Sequence, residues 1–372
     1  MEVSRNIQMV DLKTQFKKIE DEVMKEIKNV IDTTSFINGP AVKEFEGALS
    51  EYLGGAKVIG CGNGTDALQI ALMALDLKPG DEVITTPFTF VATSEVIALL
   101  GLKPVFVDIL EEGYLIDPSK IEAAITEKTK VIIPVHLYGQ VCDMNNIMDI
   151  ADKHGISVVE DNAQAIGASY KFRGEWKKSG SIGHIGCTSF FPSKNLGCYG
   201  DGGAIITESD ELAAKIRMIV NHGSKVKYYH EIIGVNSRLD SIQAAVLKVK
   251  LKHLDTYGKA RFEAASYYND LLSDVDNIVT PFAGENSEHV FHQYTLRLKS
   301  GDRNKIVQGM RDFGIPCMIY YPVPLHQQDA YKQEGNLPIS EKLSELVFSL
   351  PMHTELKKED QYYIIENLKK LI

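Results

Sequence analysis

Residues 57–65 read Lys-Val-Ile-Gly-Cys-Gly-Asn-Gly-Thr, and this stretch decides the type of fold. A short apolar run occupies residues 57–61, glycines stand at positions 60, 62 and 64, and a helical pattern follows over residues 66–75. A strand that passes through a glycine-rich turn into a helix is the unit from which parallel α/β sheets are built. The stretch therefore predicts an α/β chain from its first strand onward.

The same alternation continues to about residue 206. Several of the later runs are apolar and β-branched throughout, as expected of strands that are covered on both faces. The predicted strands are residues 57–61, 82–86, 104–109, 131–135, 157–160, 186–190 and 204–206. A helix over residues 91–100 stops at Gly101, which suits a C-cap. We expect a mostly parallel seven-stranded sheet with helices on both faces.

A longer helix is predicted over residues 240–254, and the pattern becomes more mixed beyond it. Along this helix Ile242 and Ala245 fall on the apolar stripe, and three lysines fall on polar positions, namely Lys248, Lys250 and Lys252. We expect a large domain over residues 1–254, which includes an amphipathic helix near residues 15–31. A smaller C-terminal α+β domain is expected over residues 255–372.

Composition excludes several classes of protein. The net charge of -10 comes without a basic patch, which argues against nucleic-acid binding. We expect no signal peptide and no membrane span, because no apolar run approaches about 20 residues. The five cysteines are odd in number and form no CxxC pair, which favours a reducing cytoplasm and a role as small buried side chains. The histidines lack HxxxH and HxxE spacing, so no metal site is expected.

Three motifs can carry chemistry. The first is the turn at residues 60–65, because glycines and a helix N-terminus bind phosphate well. A dinucleotide fingerprint is disfavoured, since its sixth position is Thr65 instead of glycine. A purely structural turn with Thr65 as N-cap remains an alternative.

The second motif is an apolar strand that ends in Glu160 and Asp161. Ligands bind beyond the carboxyl ends of strands in open α/β sheets, and an Asp there can pair with a pyridinium nitrogen. The alternative is a solvated strand end or a helix cap.

The third motif is Ser-Phe-Phe-Pro-Ser-Lys at residues 189–194, followed by Gly197, Gly200, Gly202 and Gly203. Most lysines are solvated, and that is the alternative reading here. Apolar surroundings can instead lower the pKa of a lysine such as Lys194 enough for it to form a Schiff base.

The order of these motifs resembles that of the pyridoxal-phosphate (PLP) enzymes of the aspartate-aminotransferase type, known as PLP fold type I. The resemblance is most specific to the DegT/DnrJ/EryC1/StrS family of sugar aminotransferases, and it covers essentially the whole chain. The stretches that carry it are residues 10–13, 63–68, 79–84, 160–164, 189–194, 200–203 and 234–240.

The resemblance implies a role for each matching residue. It implies that Lys194 carries PLP and transfers the proton, and that Asp161 pairs the ring nitrogen. The other cofactor contacts implied are Gly64, Thr65 and Ser189 at the phosphate, Phe88 on the ring face, Gln164 near the ring hydroxyl, and Asn236 reaching the phosphate from a neighbouring subunit. The substrate contacts implied are Arg238, Tyr320 and Tyr321. The active sites would then be shared across a homodimer.

Within the family the chain is most similar to enzymes that aminate C3 of a UDP-linked 2-acetamido-3-keto-hexuronic acid, with L-glutamate as donor, for polysaccharide or lipopolysaccharide sugars. A related uronate enzyme has histidine where this chain has Tyr320, so the sugar is open, and a dTDP-linked 3-keto- or 4-keto-deoxyhexose is an alternative substrate. A PLP-binding regulator without turnover is an alternative of another class. Lys194 speaks against a dehydratase, which has histidine there, and Thr65 speaks against an NAD-dependent oxidoreductase.

Overall fold

The structure is a computed structural model that describes residues 5–333 and 335–372. Its helices are α1 (Leu12–Asp32), α2 (Pro40–Tyr52), α3 (Gly64–Ala74), α4 (Ala92–Leu99), α5 (Pro118–Ile121), α6 (Met144–His154), α7 (Asp210–Ile219), α8 (Ser241–Leu251), α9 (Leu254–Leu272), α10 (Arg303–Asp312), α11 (Pro338–Leu346) and α12 (Lys358–Lys369). Its strands are β1 (Lys57–Cys61), β2 (Glu82–Thr85), β3 (Lys103–Phe106), β4 (Thr129–Ile132), β5 (Ser157–Asp161), β6 (Ser169–Phe172), β7 (Glu175–Lys178), β8 (Ile185–Ser189), β9 (Gly203–Thr207), β10 (Ile278–Val279), β11 (Tyr294–Leu298) and β12 (Val347–Leu350). Short 3₁₀ turns lie at Glu122–Ala124, Leu137–Gly139, Leu325–Gln327 and Asp329–Tyr331.

All seven strands predicted from the sequence lie in one sheet, in the order β1-β9-β8-β5-β4-β2-β3. Only β9 runs against its neighbours, β1 and β8, and the other pairs are parallel. The predicted mostly parallel seven-stranded sheet is therefore confirmed. Because the six remaining strands point the same way, their carboxyl ends meet at one edge, where ligands of α/β sheets bind.

The strands are apolar throughout because both faces of the sheet are covered. Adjacent residues of β2, Val83 and Ile84, belong to opposite core clusters, as the two-residue repeat of a strand requires. One cluster includes residues of α3, α4 and α7, and the other includes residues of α6. Helix α4 ends at Leu99, and Gly101 has a φ of +70°, which confirms it as the glycine of a helix C-cap.

The predicted helix over residues 240–254 is divided into α8 and the start of α9. Lys248 forms ion pairs with Glu26 and Glu44, as a polar position would. Lys250 does not follow the prediction, since only 1% of it is exposed. Residues two apart on a helix lie on nearly opposite sides, so Lys250 lies on the face opposite Lys248 and Lys252, against the core.

The C-terminal part contains an antiparallel sheet in the order β10-β11-β12, packed with residues of α9, α10 and α12. Ile7 also packs against this cluster, and the Met352 amide donates to the Met9 carbonyl. The division of the chain at residues 254 and 255 stays a prediction. The five cysteines are free and buried, as expected. In residues 5–333 and 335–372, no helix is long and apolar enough to cross a membrane.

Candidate active site

A cavity of about 730 Å³ lies where the carboxyl ends of the strands meet. Eight of the residues predicted for the site line this cavity: Gly64, Thr65, Asp161, Gln164, Ser189, Lys194, Tyr320 and Tyr321. They come from the turn after β1, the ends of β5 and β8, and the segment that precedes β12. The sheet topology thus brings together residues that are more than 250 positions apart in the sequence.

Asp161 is the last residue of β5, and its carboxylate is buried against the cavity. Thr93 Oγ1 donates to its Oδ2 at 2.8 Å, and the Ala163 amide donates to its Oδ1 at 3.2 Å. No lysine, arginine or histidine nitrogen in the described ranges lies within 4 Å of it. Burial raises the pKa of Asp161, and the Thr93 hydrogen bond and the Lys194 charge oppose the rise. A cationic N–H in the cavity would supply the partner that this carboxylate lacks.

The neighbouring acid, Glu160, is used differently. It is fully buried, and its two oxygens accept hydrogen bonds from the amides of Gly180, Ile182 and Gly183 at 2.6–2.8 Å. His136 Nε2 lies 2.8 Å from Glu160 Oε2, and its Nδ1 accepts from the Cys142 amide, so the ring proton is on Nε2. Burial alone would raise the pKa of Glu160, but these hydrogen bonds outweigh it and hold the pKa low. Glu160 therefore fixes the end of β5 and with it the position of Asp161.

Lys194 lies in the loop after β8 and reaches the cavity. Its amide donates to the Phe191 carbonyl at 2.8 Å, which closes a tight turn. Burial lowers the pKa of Lys194 to about 8, against the opposing charge of Asp161. A substantial fraction of the amine is thus neutral near that pH, and a neutral amine can act as a nucleophile or accept a proton.

The N-terminus of α3 forms another part of the wall. The N-cap is Asn63, whose side chain accepts from the Asp66 amide at 2.8 Å, so the alternative of Thr65 as N-cap is wrong. The first amides of the helix, those of Gly64 and Thr65, have no partner within the helix and lie at the positive end of its dipole. A side chain at Gly64 would come within 2.6 Å of Ser189 Cβ, so glycine permits the close approach of β8. Helix amides, a threonine hydroxyl and a serine hydroxyl form a donor set for an anion such as phosphate.

A hydrogen-bonded group of aromatic residues forms the opposite wall. Gln164 Oε1 accepts from the Tyr138 amide at 2.7 Å, and its Nε2 donates to the Tyr321 hydroxyl at 3.1 Å. The Tyr138 hydroxyl donates to the Tyr320 carbonyl. Burial raises the pKa of Tyr321, so its hydroxyl stays protonated at ordinary pH.

Three predicted residues do not line the cavity of their own chain. Phe88 is fully buried in the core, with its ring 6.3 Å from that of Tyr321, and Phe90 lies on the cavity wall instead. The ring-face role was assigned to Phe88 from the family resemblance, and the structure places its side chain in the core instead of on the cavity wall. Asn236 is exposed and forms a bridge to Asn221, and Arg238 also lies outside the cavity.

Sequence reasoning missed His292, which also lines the cavity. Its Nδ1 has no hydrogen-bond partner in the part of the chain that the structure describes. Burial, with smaller contributions from the Lys194 and Arg261 charges, holds the pKa of His292 well below its usual value, so the ring is neutral. No motif marks this histidine in a single sequence. Among residues 5–333 and 335–372, no group of three metal-ligating side chains is found.

The amino-acid sequence was compared with known families and proteins. The sequence model of the DegT/DnrJ/EryC1/StrS aminotransferase family matches residues 17–369 of this chain. The chain is 49% identical to a pleiotropic regulatory protein of Geobacillus stearothermophilus, with 98% of each chain covered. It is 48% identical to UDP-2-acetamido-2-deoxy-3-oxo-D-glucuronate aminotransferase of Pseudomonas aeruginosa, covering 94% of this chain and 96% of the relative. It is 46% identical to a UDP-N-acetyl-3-dehydro-alpha-D-glucosamine 3-aminotransferase of Acidithiobacillus ferrooxidans, covering 95% and 94%.

The fold was compared with solved structures. A DegT DnrJ EryC1 StrS aminotransferase from Brucella abortus superposes with a TM-score of 0.93 at 41% identity, covering 98% of this chain and 99% of that chain. NtdA of Bacillus subtilis, solved with bound cofactor PMP, superposes with a TM-score of 0.88 at 33% identity, covering 100% and 86%. Both likenesses extend over nearly the whole of this chain.

Proposed function

Because the chain belongs to the DegT/DnrJ/EryC1/StrS aminotransferase family, we propose that it transfers the amino group of L-glutamate to C3 of a UDP-linked 2-acetamido-3-keto-hexuronic acid. The chain is a PLP-dependent aminotransferase with the aspartate-aminotransferase type of fold. The names of the relatives from Pseudomonas aeruginosa and Acidithiobacillus ferrooxidans support a UDP-linked 3-keto-sugar as the acceptor.

One observation carries the assignment of the cofactor site. The buried Asp161 carboxylate, which has no cation partner among residues 5–333 and 335–372, and Lys194, whose pKa is lowered, line the same cavity at the edge of the sheet. Asp161 would hold the ring nitrogen, Lys194 would hold the aldehyde carbon, and Gly64, Thr65 and Ser189 would hold the phosphate. Each group of PLP thus meets a chemically matched set of side chains or amides.

Bound PLP supplies an electron sink for the negative charge that develops when a proton leaves the carbon next to the transferred nitrogen. In our proposal Lys194 Nζ takes that proton and returns it, which a pKa near 8 allows at neutral pH. The Asp161 carboxylate would keep the ring nitrogen protonated. Gln164 and Tyr321 fix the opposite wall, and the aromatic ring of Phe90, instead of Phe88, would cover the cofactor.

The substrate side is proposed to be completed by a second copy of the chain. Asn236 and Arg238 do not line the cavity of their own chain, and we propose that each contacts cofactor or sugar in the cavity of the partner in a twofold homodimer. Arg238 could pair bidentately with a C6 carboxylate, and Tyr320 and Tyr321 would face the sugar. We place the reaction in the cytoplasm, in the synthesis of sugars for cell-surface polysaccharide or lipopolysaccharide.

A regulatory protein without turnover is the second candidate, favoured by the name of the Geobacillus stearothermophilus relative at 49% identity. Such a protein would also hold PLP on a neutral lysine amine, so Lys194 is consistent with both candidates, and turnover separates them. A dTDP-linked keto-deoxyhexose remains the alternative substrate for the enzyme.

A half-reaction separates these candidates. The PLP-loaded protein is mixed with L-glutamate, and we expect the visible absorption band to bleach as the amino group moves to the cofactor. UDP- and dTDP-linked 3-keto-sugars are then added one at a time, and the UDP-linked uronate should restore the band. Recovery with the dTDP-sugar alone would reassign the substrate, and a band that glutamate never bleaches would favour the regulator.

A further inference from the structure

The segment 235–239, which precedes α8, presents its side chains alternately to two sides. Ser237 and Leu239 are buried, at 3% and 1% exposure, whereas Asn236 is exposed and Arg238 is partly exposed. A repeat of two residues is that of extended backbone. Ser237 therefore faces the interior of its own chain and stands between two residues whose side chains are directed outward.

The Ser237 hydroxyl is bound to the turn that precedes α3. Its oxygen accepts from the Gly62 amide at 2.9 Å, and its proton is donated to Asp66 Oδ2 at 2.7 Å. The Ser237 amide donates to the Val220 carbonyl at 3.1 Å. A hydroxyl that both accepts and donates is fixed in its rotation, and a bond to a carboxylate is stronger than one between neutral groups.

The turn itself has little room to shift. The Asn63 side chain accepts from the Asp66 amide at 2.8 Å, and Asp66 also lines the catalytic cavity. A Cβ atom at Gly62 would lie 3.0 Å from Asp66 Oδ2 and 3.2 Å from Ser237 Oγ. A Cβ atom at Gly203 would come within 2.4 Å of the Asn63 carbonyl oxygen. The turn that would hold the phosphate and the Ser237 hydroxyl thus form one closely packed unit.

We propose that Ser237 is a positioning residue that acts on the cofactor site of the partner chain. It acts in this way only within the homodimer of the proposed function, on which the inference rests, because Asn236 and Arg238 there enter the partner's cavity. Ser237 lies between these two residues and is bound to Gly62 and Asp66, so it sets the position from which both side chains reach across. Each chain uses its own phosphate turn to anchor the residues that it contributes to the other site.

The affinity for PLP, measured through the visible band, tests the role of the hydroxyl. Ser237→Ala removes both of its hydrogen bonds, and we expect the dissociation constant of PLP to rise about fivefold to tenfold, as for one weakened phosphate contact. Pyridoxal lacks the phosphate and should bind the variant as it binds the unmodified protein. Ser241→Ala is the matched control, since this buried serine also accepts from a glycine amide, that of Gly39 at 3.2 Å. It should leave the affinity for PLP unchanged.

Mixed dimers separate an effect on the partner from an effect within the same chain. Two copies with different affinity tags are co-expressed, and one copy carries Lys194→Ala, so that only the other copy gives the visible band. With Ser237→Ala in the Lys194→Ala copy, the remaining site receives Asn236 and Arg238 from the altered chain, and we expect the full loss of affinity for PLP. With Ser237→Ala in the copy that keeps its lysine, the dissociation constant should change less than about twofold.

Weakening that is equal or greater with the substitution in the copy that keeps its lysine would overturn the inference. Unchanged affinity of the Ser237→Ala homodimer, or an equal loss for pyridoxal, would also overturn it. A protein that light scattering shows to be a monomer would overturn the inference together with the proposed homodimer. These readouts require only the cofactor, so a wrong assignment of the sugar is detected separately, by the half-reaction described above.

Discussion

Two lysines of this chain share a lowered pKa but occupy different surroundings. Burial brings the pKa of both Lys194 and Lys250 to about 8. Lys194 reaches the catalytic cavity, which is also lined by Asp161, a carboxylate with no cation partner in the part of the chain that the structure describes. Lys250 lies in α8, donates to the Gly197 carbonyl at 2.6 Å and sits over the Tyr199 ring, with 1% of its surface exposed. A lowered pKa therefore does not by itself identify the reactive lysine, because access and a nearby acid are also required.

The largest expected difference between the two lysines is in turnover. Lys194→Ala should lose the visible band and lower aminotransfer by about 10⁴-fold, because both the attachment point and the proton carrier are removed. Lys250→Met should keep the band and most of the activity. Absorbance spectra and steady-state rates of both variants test this, and a Lys250→Met protein without the band would reverse the comparison.

Substitutions of the two adjacent acids at the end of β5 should have different effects: at Asp161 mainly on turnover, and at Glu160 mainly on the free energy of unfolding. Asp161→Asn should lower turnover by about 10²–10³-fold with little change in the free energy of unfolding, because the charge is lost while the Asn oxygen still accepts from the Ala163 amide and its Nδ2 can donate to Thr93 Oγ1. Glu160→Gln should lower the free energy of unfolding by about 1–3 kcal/mol and turnover by less than tenfold. Denaturant unfolding and rates measured on the same samples give the two readouts. Equal loss of turnover in both variants would contradict distinct roles.

The pKa of Lys194 should appear in the rate at which PLP attaches to the protein freed of cofactor. Only the neutral amine attacks, so the rate should rise roughly tenfold per pH unit and level off near pH 8. Nα-acetyl-lysine, whose single amine has a pKa of about 10.4, is the control and should continue to accelerate beyond pH 9. Stopped-flow absorbance follows both reactions, and a protein that behaves like free lysine would show that the amine is solvated.

Lys250 should instead influence how stability changes with pH. Its pKa is lower in the folded chain than in the unfolded chain, so the unfolded chain binds more protons between about pH 8 and 10.4, and folding becomes more favourable as pH rises. Lys250→Met lacks this gain. Its free energy of unfolding should fall behind that of the unmodified protein by about 2–3 kcal/mol between pH 7.5 and 10.5. Urea unfolding at both pH values measures the difference, and parallel pH profiles would contradict it.

The smallest effect is expected on the open side of the Lys194 cavity. Tyr320→His should change KM for the keto-sugar by up to about tenfold, because a hydroxyl is replaced by an imidazole beside the substrate. The glutamate half-reaction should keep its rate, which separates substrate recognition from the chemistry at Lys194. A slower glutamate half-reaction would place Tyr320 in the chemistry instead.

Much of the fold was readable because buried parallel strands are apolar at every position. The apolar pairs Val83-Ile84 and Val131-Ile132 indicate strands from the local sequence alone, whereas the order of the strands depends on contacts between distant parts of the chain. The short hairpin β6–β7 and the C-terminal strands were not identified, since they are short or mixed in character.

The site was predictable where a motif fixes the backbone, as at Gly64, Asp161 and Lys194. It was not predictable where the path of a loop decides which side chain faces inward. Phe88 and Phe90 are the same type of residue, and only the turn between them places Phe90 on the cavity wall and Phe88 in the core. Lys250 was expected to be solvated because lysines stand two positions away on either side, at 248 and 252, and His292 lies in no recognised motif.

The most direct test of the difference between the two lysines is to locate the cofactor chemically. The PLP-loaded protein is reduced with borohydride, digested, and its peptides are identified by mass spectrometry. We predict that the pyridoxyl mass is found on the peptide that contains Lys194 and is absent from the peptide that contains Lys250. Label on Lys250, or label spread over several surface lysines, would contradict the assignment of Lys194 as the residue that carries the cofactor.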